Sequence, residues 1–176
     1  MIKVVLTGSE STGKTELARE LARHFDAPLS EEFVREYAAA RGGKLSFADH
    51  GPIAQGQMAA EDAAIARARD LVILDTDLVS TAVYCEHYFG SCPPWILEKA
   101  RARAGDLYLL MKPDVPWVAD GVRDRSSPGE RETMHALFRK QLESLSLTFV
   151  EIGGSRAHRF QTAVAAITER ANRAEN

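Results

Sequence analysis

An eight-residue stretch close to the amino terminus constrains the fold of this sequence more than any other feature. It reads Gly8-Ser9-Glu10-Ser11-Thr12-Gly13-Lys14-Thr15 and matches the pattern GxxxxGK[ST]. In that pattern, glycines let backbone N–H groups turn inward around a phosphate at the start of a helix. We predict that all eight residues bind the phosphates of ATP, with Lys14 at the β- and γ-phosphates and Thr15 ligating Mg²⁺.

The sequence around this loop provides the context that the pattern requires, and the same alternation continues along the chain. A β-branched run precedes the loop, and a helical pattern with Leu17, Leu21 and Phe25 on one face follows it. The predicted strands span residues 2–6, 27–30, 71–74, 107–111 and 148–152. Strands that alternate with helices predict a parallel five-stranded sheet covered on both faces, the α/β class of P-loop NTPases. Ligands of such sheets bind beyond the carboxyl ends of the strands.

Length and composition narrow the remaining classes of protein. The 176 residues suit one domain, residues 1–176, and the net charge of −3 gives no electrostatic footprint for nucleic acid or an anionic membrane. No apolar run approaches the ~20 residues of a membrane span. Cys85 and Cys92 lack a Cys/His cluster, which indicates reduced thiols and a cytoplasmic protein. The five histidines show no ligand spacing and are expected on the surface or on helix faces.

Two aspartates follow the third predicted strand, where P-loop enzymes carry a magnesium-binding carboxylate. Asp75 is predicted to hold Mg²⁺ through water, because this hard cation prefers oxygen ligands. Asp77 points either to the other side of an extended backbone or to the start of the next helix, where it would be an N-cap.

An acidic segment follows the second predicted strand. Small-molecule kinases need a carboxylate that orients or deprotonates the acceptor hydroxyl, and Glu32 is a candidate. Its alternative role is first-turn acidity that the helix dipole favours. Arg35 and Glu36 follow within one turn, and Glu36 shares a face with Glu32, which is also consistent with a solvated surface.

A long loop follows the fourth predicted strand and forms a candidate lid over approximately residues 113–131. A mobile arginine loop can cover the γ-phosphate and exclude water, and long loops in compact domains are usually functional or disordered. The alternative is a polar surface loop. Its candidate residues are Trp117, Asp120, Arg123 and Arg125.

A glycine pair follows the fifth predicted strand. Gly154 there is a candidate edge of the adenine pocket, and the alternative is a plain turn from strand to helix.

Taken together, these segments resemble the ribosylnicotinamide kinases, the kinase half of bacterial NadR-type proteins. The resemblance rests on the P-loop, on Glu32 with Arg35-Glu36-Tyr37, on Asp75-Thr76-Asp77, and on the PWVADGVR run at 116–123. It covers roughly residues 1–167. The P-loop alone is unspecific, whereas its combination with the other segments is much more specific.

The resemblance implies transfer of the γ-phosphoryl group of ATP to the 5′-hydroxyl of nicotinamide riboside, on a fold like that of nucleoside and nucleotide monophosphate kinases with a lid. ATP and Mg²⁺ are the implied cofactors. The candidate catalytic residues are Lys14, Glu32, Asp75 and Arg123. The candidate nucleotide contacts beyond the P-loop are Arg125 and Gly154. The candidate acceptor contacts are Glu32, Arg35, Asp77, Trp117 and Asp120.

Other functions stay open at this point. The sequence contains no HxGH motif of the adenylyltransferase domain that NadR-type proteins carry, so a separate adenylyltransferase is expected to act downstream. The same site suits a kinase of another nucleoside or of a nucleoside monophosphate, for which Arg35 would bind the extra phosphate. A GTP-binding switch is suggested weakly by the run MKPD at 111–114, although Met replaces the Asn of NKxD. An ATPase module without a small acceptor is the third alternative.

Overall fold

The computed structural model describes residues 1–43, 45–115 and 128–174, with the side chain of Pro128 left out, and a parallel sheet lies at its centre. Within these residues the sheet has five strands in the order β2-β3-β1-β4-β5, and every neighbouring pair is parallel. The strands are β1 (Ile2–Thr7), β2 (Leu29–Ser30), β3 (Leu71–Asp75), β4 (Leu107–Met111) and β5 (Phe149–Ile152). The α/β class and the five parallel strands predicted from the sequence are confirmed.

Helices cover both faces of the sheet. They are α1 (Lys14–His24), α2 (Phe33–Ala40), α3 (His50–Ile65), α4 (Leu78–Phe89), α5 (Pro94–Ala102), α6 (Pro128–Ser144) and α7 (Arg156–Ala174). Successive strand residues point to opposite faces, so β1 contributes to two cores. Val4 and Leu6 pack in the core that contains α1 and α7, whereas Val5 packs in the core that contains α3, α4, α5 and α6. None of the described helices is long and apolar enough to cross a membrane.

A capping box precedes α3. The backbone N–H and the hydroxyl of Ser46 donate to Asp49 Oδ2 at 2.8 and 2.7 Å. A 3₁₀ turn, Phe47–Asp49, separates the box from α3. The helix ends at Ile65.

The topology brings the candidate site residues to one edge of the sheet. Because β1 lies between β3 and β4, the loop after Thr7 is flanked by the segments that follow Asp75 and Met111. The segment after Ser30 lies one strand further out. The carboxyl edge is the place where open α/β sheets bind ligands.

Candidate functional site

The loop between β1 and α1 depends on two glycines with left-handed backbone. Gly8 has φ +129°, and a Cβ there would lie 2.9 Å from the carbonyl oxygen of Met111. Gly13 has φ +81° and directly precedes the first residue of α1. Larger residues would strain the turn at both positions and would clash with β4 at the first. The loop therefore presents the amino end of α1 to an anion.

The ammonium group of Lys14 is held inside this loop. Its Nζ donates to the carbonyl oxygens of Gly8 at 2.9 Å and Ser9 at 2.7 Å. The hydroxyl of Thr12 donates to the same Ser9 carbonyl at 2.9 Å. Lys14 is only 7% exposed, so a fixed positive charge lies beside backbone N–H groups at a helix terminus. Such a group binds phosphate strongly.

Thr15 and Asp75 bring two side-chain oxygen atoms together beside the P-loop. The Thr15 hydroxyl donates to Asp75 Oδ2 at 2.6 Å. Asp75 Oδ1 is buried and has no hydrogen-bond partner among the described residues. Burial raises the pKa of Asp75 despite the Thr15 hydrogen bond and the Lys14 charge, which both lower it. The pair fits Mg²⁺, which binds few protein oxygens and otherwise keeps water and phosphate ligands. No group of three His, Cys, Asp or Glu side chains within residues 1–43, 45–115 and 128–174 could hold a metal.

The two adjacent glutamates after β2 have different environments. Glu31 pairs with Arg19 at 2.8 Å on the surface, with its side chain 62% exposed. The side chain of Glu32 is 9% exposed. A guanidinium nitrogen of Arg35 lies 3.3 Å from Glu32 Oε2 and donates to Thr15 Oγ1 at 3.4 Å. The first turn of α2 is thus linked to the P-loop, whereas Glu36 is exposed, as the solvated alternative required.

A cavity of about 430 Å³ opens beside this cluster. Its size is within the range of small-molecule sites, roughly 300–1,000 Å³. Its carboxylates come from Glu10 and Glu32, so Glu10 of the P-loop faces the cavity. Its aromatic wall comes from α3 and α4 and consists of His50, Tyr84, Tyr88 and Phe89. A cavity lined by both acidic oxygens and flat rings suits a ring-bearing, hydroxylated acceptor.

Asp77 caps a helix, which is the alternative that the sequence left open. Its Oδ1 accepts from the N–H groups of Val79 at 2.9 Å and Ser80 at 3.4 Å, and Tyr108 donates its hydroxyl to Oδ2 at 2.6 Å. Burial raises the pKa of Asp77 to about 6. Both oxygens are engaged and Asp77 does not line the cavity. The predicted acceptor contact has no support from any described contact, because the carboxylate belongs to the start of α4.

Gly154 lies in a turn that is tied to the P-loop. It has φ +85°, and its N–H donates to Asp114 Oδ2 at 2.6 Å. Arg159 donates to the carbonyl oxygens of Gly154 at 2.9 Å and Thr12 at 2.8 Å, and pairs with Asp114. Arg159 is 4% exposed. It was not identified as a site residue from the sequence, because it belongs to no motif and resembles the other arginines of its helix. Contact of Gly154 with adenine stays a prediction.

The candidate residues of the long loop cannot be placed. Trp117, Asp120, Arg123 and Arg125 lie outside the described residues, and their roles stay predictions. On the described flanks of this segment, Arg131 of α6 donates to the carbonyl oxygen of Val115 at 3.0 Å.

Several cavity residues escaped prediction because they carry no local motif. His50 was expected on the surface or on a helix face, yet it is 6% exposed and lines the cavity. Its ring lies edge-on to Phe89 with centroids 5.0 Å apart. Gln57 is 2% exposed and also lines the cavity. Helical spacing alone does not tell an ordinary core face from a ligand-facing wall.

The sequence is similar to one family model and to two bacterial NadR proteins. Residues 3–159 match the family model described as AAA domain. The chain is 31% identical over 153 residues to the trifunctional NAD biosynthesis/regulator protein NadR of Escherichia coli (strain K12), and equally to that of Salmonella typhimurium (strain LT2). These matches cover 85% of this chain and 37% of each relative, so the chain spans little more than a third of their length.

Solved structures agree with this assignment of fold. A NadR protein in complex with NR superimposes with a TM-score of 0.80 at 30% identity, covering 97% of this chain and 52% of that one. A NadR protein in complex with NAD and AMP-PNP gives 0.76 at 28% identity, covering 97% and 49%. Deoxyadenosine kinase from M. mycoides gives 0.60 at 10% identity, covering 95% and 100%, which shows a shared fold.

Proposed function

Since the chain belongs to the AAA domain family, we propose that it is an ATP-dependent kinase that phosphorylates the 5′-hydroxyl of nicotinamide riboside to nicotinamide mononucleotide. The observation that carries the proposal is the contact of Arg35 with both Glu32 and Thr15, at 3.3 and 3.4 Å. This contact sets the cavity carboxylate beside the hydroxyl that would ligate Mg²⁺. The likeness to NadR proteins solved with NR and with AMP-PNP supports the same acceptor and the same donor.

The described residues supply several of the groups that phosphoryl transfer needs. Lys14 and the loop N–H groups would hold the β- and γ-phosphates, and Thr15 and Asp75 would hold the metal. When bound, Mg²⁺ supplies positive charge that offsets the charge developing on the phosphates. The acceptor oxygen bonds to the γ-phosphorus while the bond from that phosphorus to the β,γ-bridging oxygen breaks, and ADP leaves. We assign the hydroxyl proton to Glu32, because Asp75 is bonded to Thr15 and Asp77 caps α4.

The cavity also suits the charge of the proposed acceptor. The pyridinium ring of nicotinamide riboside is a cation, and a cation is attracted to carboxylates and to the faces of aromatic rings. Glu10 and Glu32 supply the carboxylates, and Tyr84 and Tyr88, which stack with centroids 6.2 Å apart, supply ring faces. Arg35 offsets part of this negative charge through its pair with Glu32.

We further propose that the product is consumed by a separate adenylyltransferase. Conversion of a mononucleotide to a dinucleotide needs transfer of an adenylyl group, a reaction different from the γ-phosphoryl transfer proposed for this site.

The direct test is to incubate the purified protein with Mg-ATP and a panel of nucleosides and monophosphates, and to measure ADP and phosphorylated product. We expect strong turnover with nicotinamide riboside alone. Preference for another nucleoside or a monophosphate would keep the kinase and change its acceptor. ADP release that is indifferent to every acceptor would replace the proposal with an ATPase module.

A further inference from the structure

One side chain of helix α3, that of Gln57, contacts both the segment after β2, which carries Glu32, and the segment after β3, which follows Asp75. Gln57 Oε1 accepts from the backbone N–H of Phe33 at 3.1 Å, and its Nε2 donates to the carbonyl oxygen of Thr76 at 3.4 Å. Phe33 directly follows Glu32, and Thr76 directly follows Asp75. The Gln57 amide also bonds to the buried carboxyl of Glu61. Its oxygen and its nitrogen thus both have backbone partners.

Gly56, the residue before Gln57, allows α3 to pack closely against Phe33. A Cβ at Gly56 would lie 2.1 Å from Cε1 of Phe33, so the absence of a side chain lets this ring lie directly against α3. The start of α2 is therefore fixed twice, by close packing on Gly56 and by the hydrogen bond to Gln57. Glu32 is the N-cap residue of that helix, and its position follows from both contacts.

The second segment is strained and needs support. Thr76 has φ +76°, a left-handed conformation that is a genuine outlier for a β-branched residue. Such strain costs on the order of 1–3 kcal/mol and persists only where the surroundings enforce it. The N–H of Thr76 donates to the carbonyl oxygen of Leu6 at 3.0 Å, and Gln57 holds its carbonyl. Hydrogen bonds thus hold both the N–H and the carbonyl oxygen of Thr76.

We infer that Gln57 is a positioning residue for phosphoryl transfer, because its one amide fixes Glu32 relative to Asp75. The inference rests on the proposed kinase function. The ATP phosphates contact the P-loop, so loss of the Gln57 amide should disturb the alignment of the acceptor hydroxyl more than the binding of ATP. Misplacement by about 1 Å is enough to lower turnover by roughly 100-fold.

Two variants separate the contacts of Gln57. Gln57→Glu keeps the acceptor for the Phe33 N–H and loses the donor to Thr76, whereas Gln57→Met fills a similar volume and loses both. Gln55 is exposed on the same helix, and Gln55→Glu and Gln55→Met are the matched controls. Turnover is measured with the acceptor that the wild-type protein prefers. We expect kcat to be highest in the wild type, lower in Gln57→Glu and lowest in Gln57→Met, where the loss should reach about 100-fold. The KM for ATP should stay within about twofold of the wild-type value.

The decisive readout is the ratio of acceptor phosphorylation to acceptor-independent ATP hydrolysis, because misalignment lowers the first and spares the second. A merely structural role would lower both together through loss of folded enzyme. If Gln57→Met fails to melt cooperatively, Gln57→Glu carries the test. An unchanged ratio in the folded variants overturns the inference and leaves the kinase in place. Absence of transfer by the wild-type protein overturns the proposed function, and the inference falls with it.

Discussion

The hydroxyl of Thr15, on the first turn of α1, donates to Asp75 Oδ2 at the end of β3 over 2.6 Å. This contact joins the P-loop to the neighbouring strand and leaves the buried Oδ1 of Asp75 without a hydrogen-bond partner in the described part of the chain.

Asp75→Asn should separate stability from activity. The amide still accepts from Thr15 but removes a buried charge, so we expect the free energy of unfolding at neutral pH without Mg²⁺ to be unchanged or higher. The Mg²⁺ concentration at half-maximal turnover should rise at least about tenfold, because the cation loses its carboxylate. Chemical denaturation and a Mg²⁺ titration of turnover measure the two effects. Unchanged Mg²⁺ dependence would contradict the assigned metal role.

Lys14→Ala should abolish turnover and leave the fold intact. The ammonium donates to the carbonyl oxygens of Gly8 and Ser9, and removing it takes positive charge from the phosphates. We expect kcat to fall by about 1,000-fold or more. Lys99→Ala, at an exposed position of α5, is the matched control. Circular dichroism checks the fold, and wild-type turnover in Lys14→Ala would overturn the assignment of the P-loop.

Asp77→Ala and Asp77→Asn test the capping role. Alanine leaves two helix N–H groups and the Tyr108 hydroxyl without their acceptor, so the free energy of unfolding should fall by about 2–3 kcal/mol. Asparagine caps as well as aspartate and should cost much less. The KM for the acceptor in Asp77→Asn should stay near the wild-type value. A large rise in that KM without loss of stability would restore the acceptor contact predicted from the sequence.

Glu61 should make stability depend on pH. Burial, followed by the nearby Asp77, raises the pKa of Glu61 from 4.5 to about 7, although Arg103 lies 3.1 Å from its carboxylate. The folded protein therefore binds this proton more tightly than the unfolded chain, and the free energy of unfolding falls as the pH rises from about 4.5 to about 7. The fall is on the order of 3 kcal/mol, and the raised pKa of Asp77 adds a contribution of the same sign.

Urea denaturation at several pH values between 4.5 and 8 measures this slope. Glu61→Gln should flatten the slope between about pH 6 and 7 and leave the part below pH 6 that Asp77 contributes, whereas Glu98→Gln, at an exposed position, should leave the whole slope unchanged. An unchanged slope between pH 6 and 7 in Glu61→Gln would assign the pH dependence there to other groups.

Local signals explain which parts of the site could be predicted. The positions of the P-loop and Asp75 could be predicted because each combines a residue pattern with a preceding strand. The five strands could be predicted because their apolar runs are short and sharply bounded. Asp77 satisfied two patterns at once: it accepts from the N–H groups of Val79 and Ser80 as an N-cap, and its other oxygen is engaged by Tyr108 of β4, a contact that no local pattern reveals. Gln57 and the aromatic wall become recognisable only when α3 and α4 pack, since each residue is ordinary on its own helix.

The opposite environments of Glu31 and Glu32 have a consequence for chain length. β2 pairs with β3 through only two residues, Leu29 opposite Ile73 and Ser30 opposite Leu74. This register, together with the contacts of Phe33 with Gly56 and Gln57, sets which of the next two carboxylates meets solvent and which enters the cavity. An insertion or deletion at residues 25–28 that shifted the register by one residue would exchange them against those contacts, so this connection should tolerate substitutions far better than changes of length.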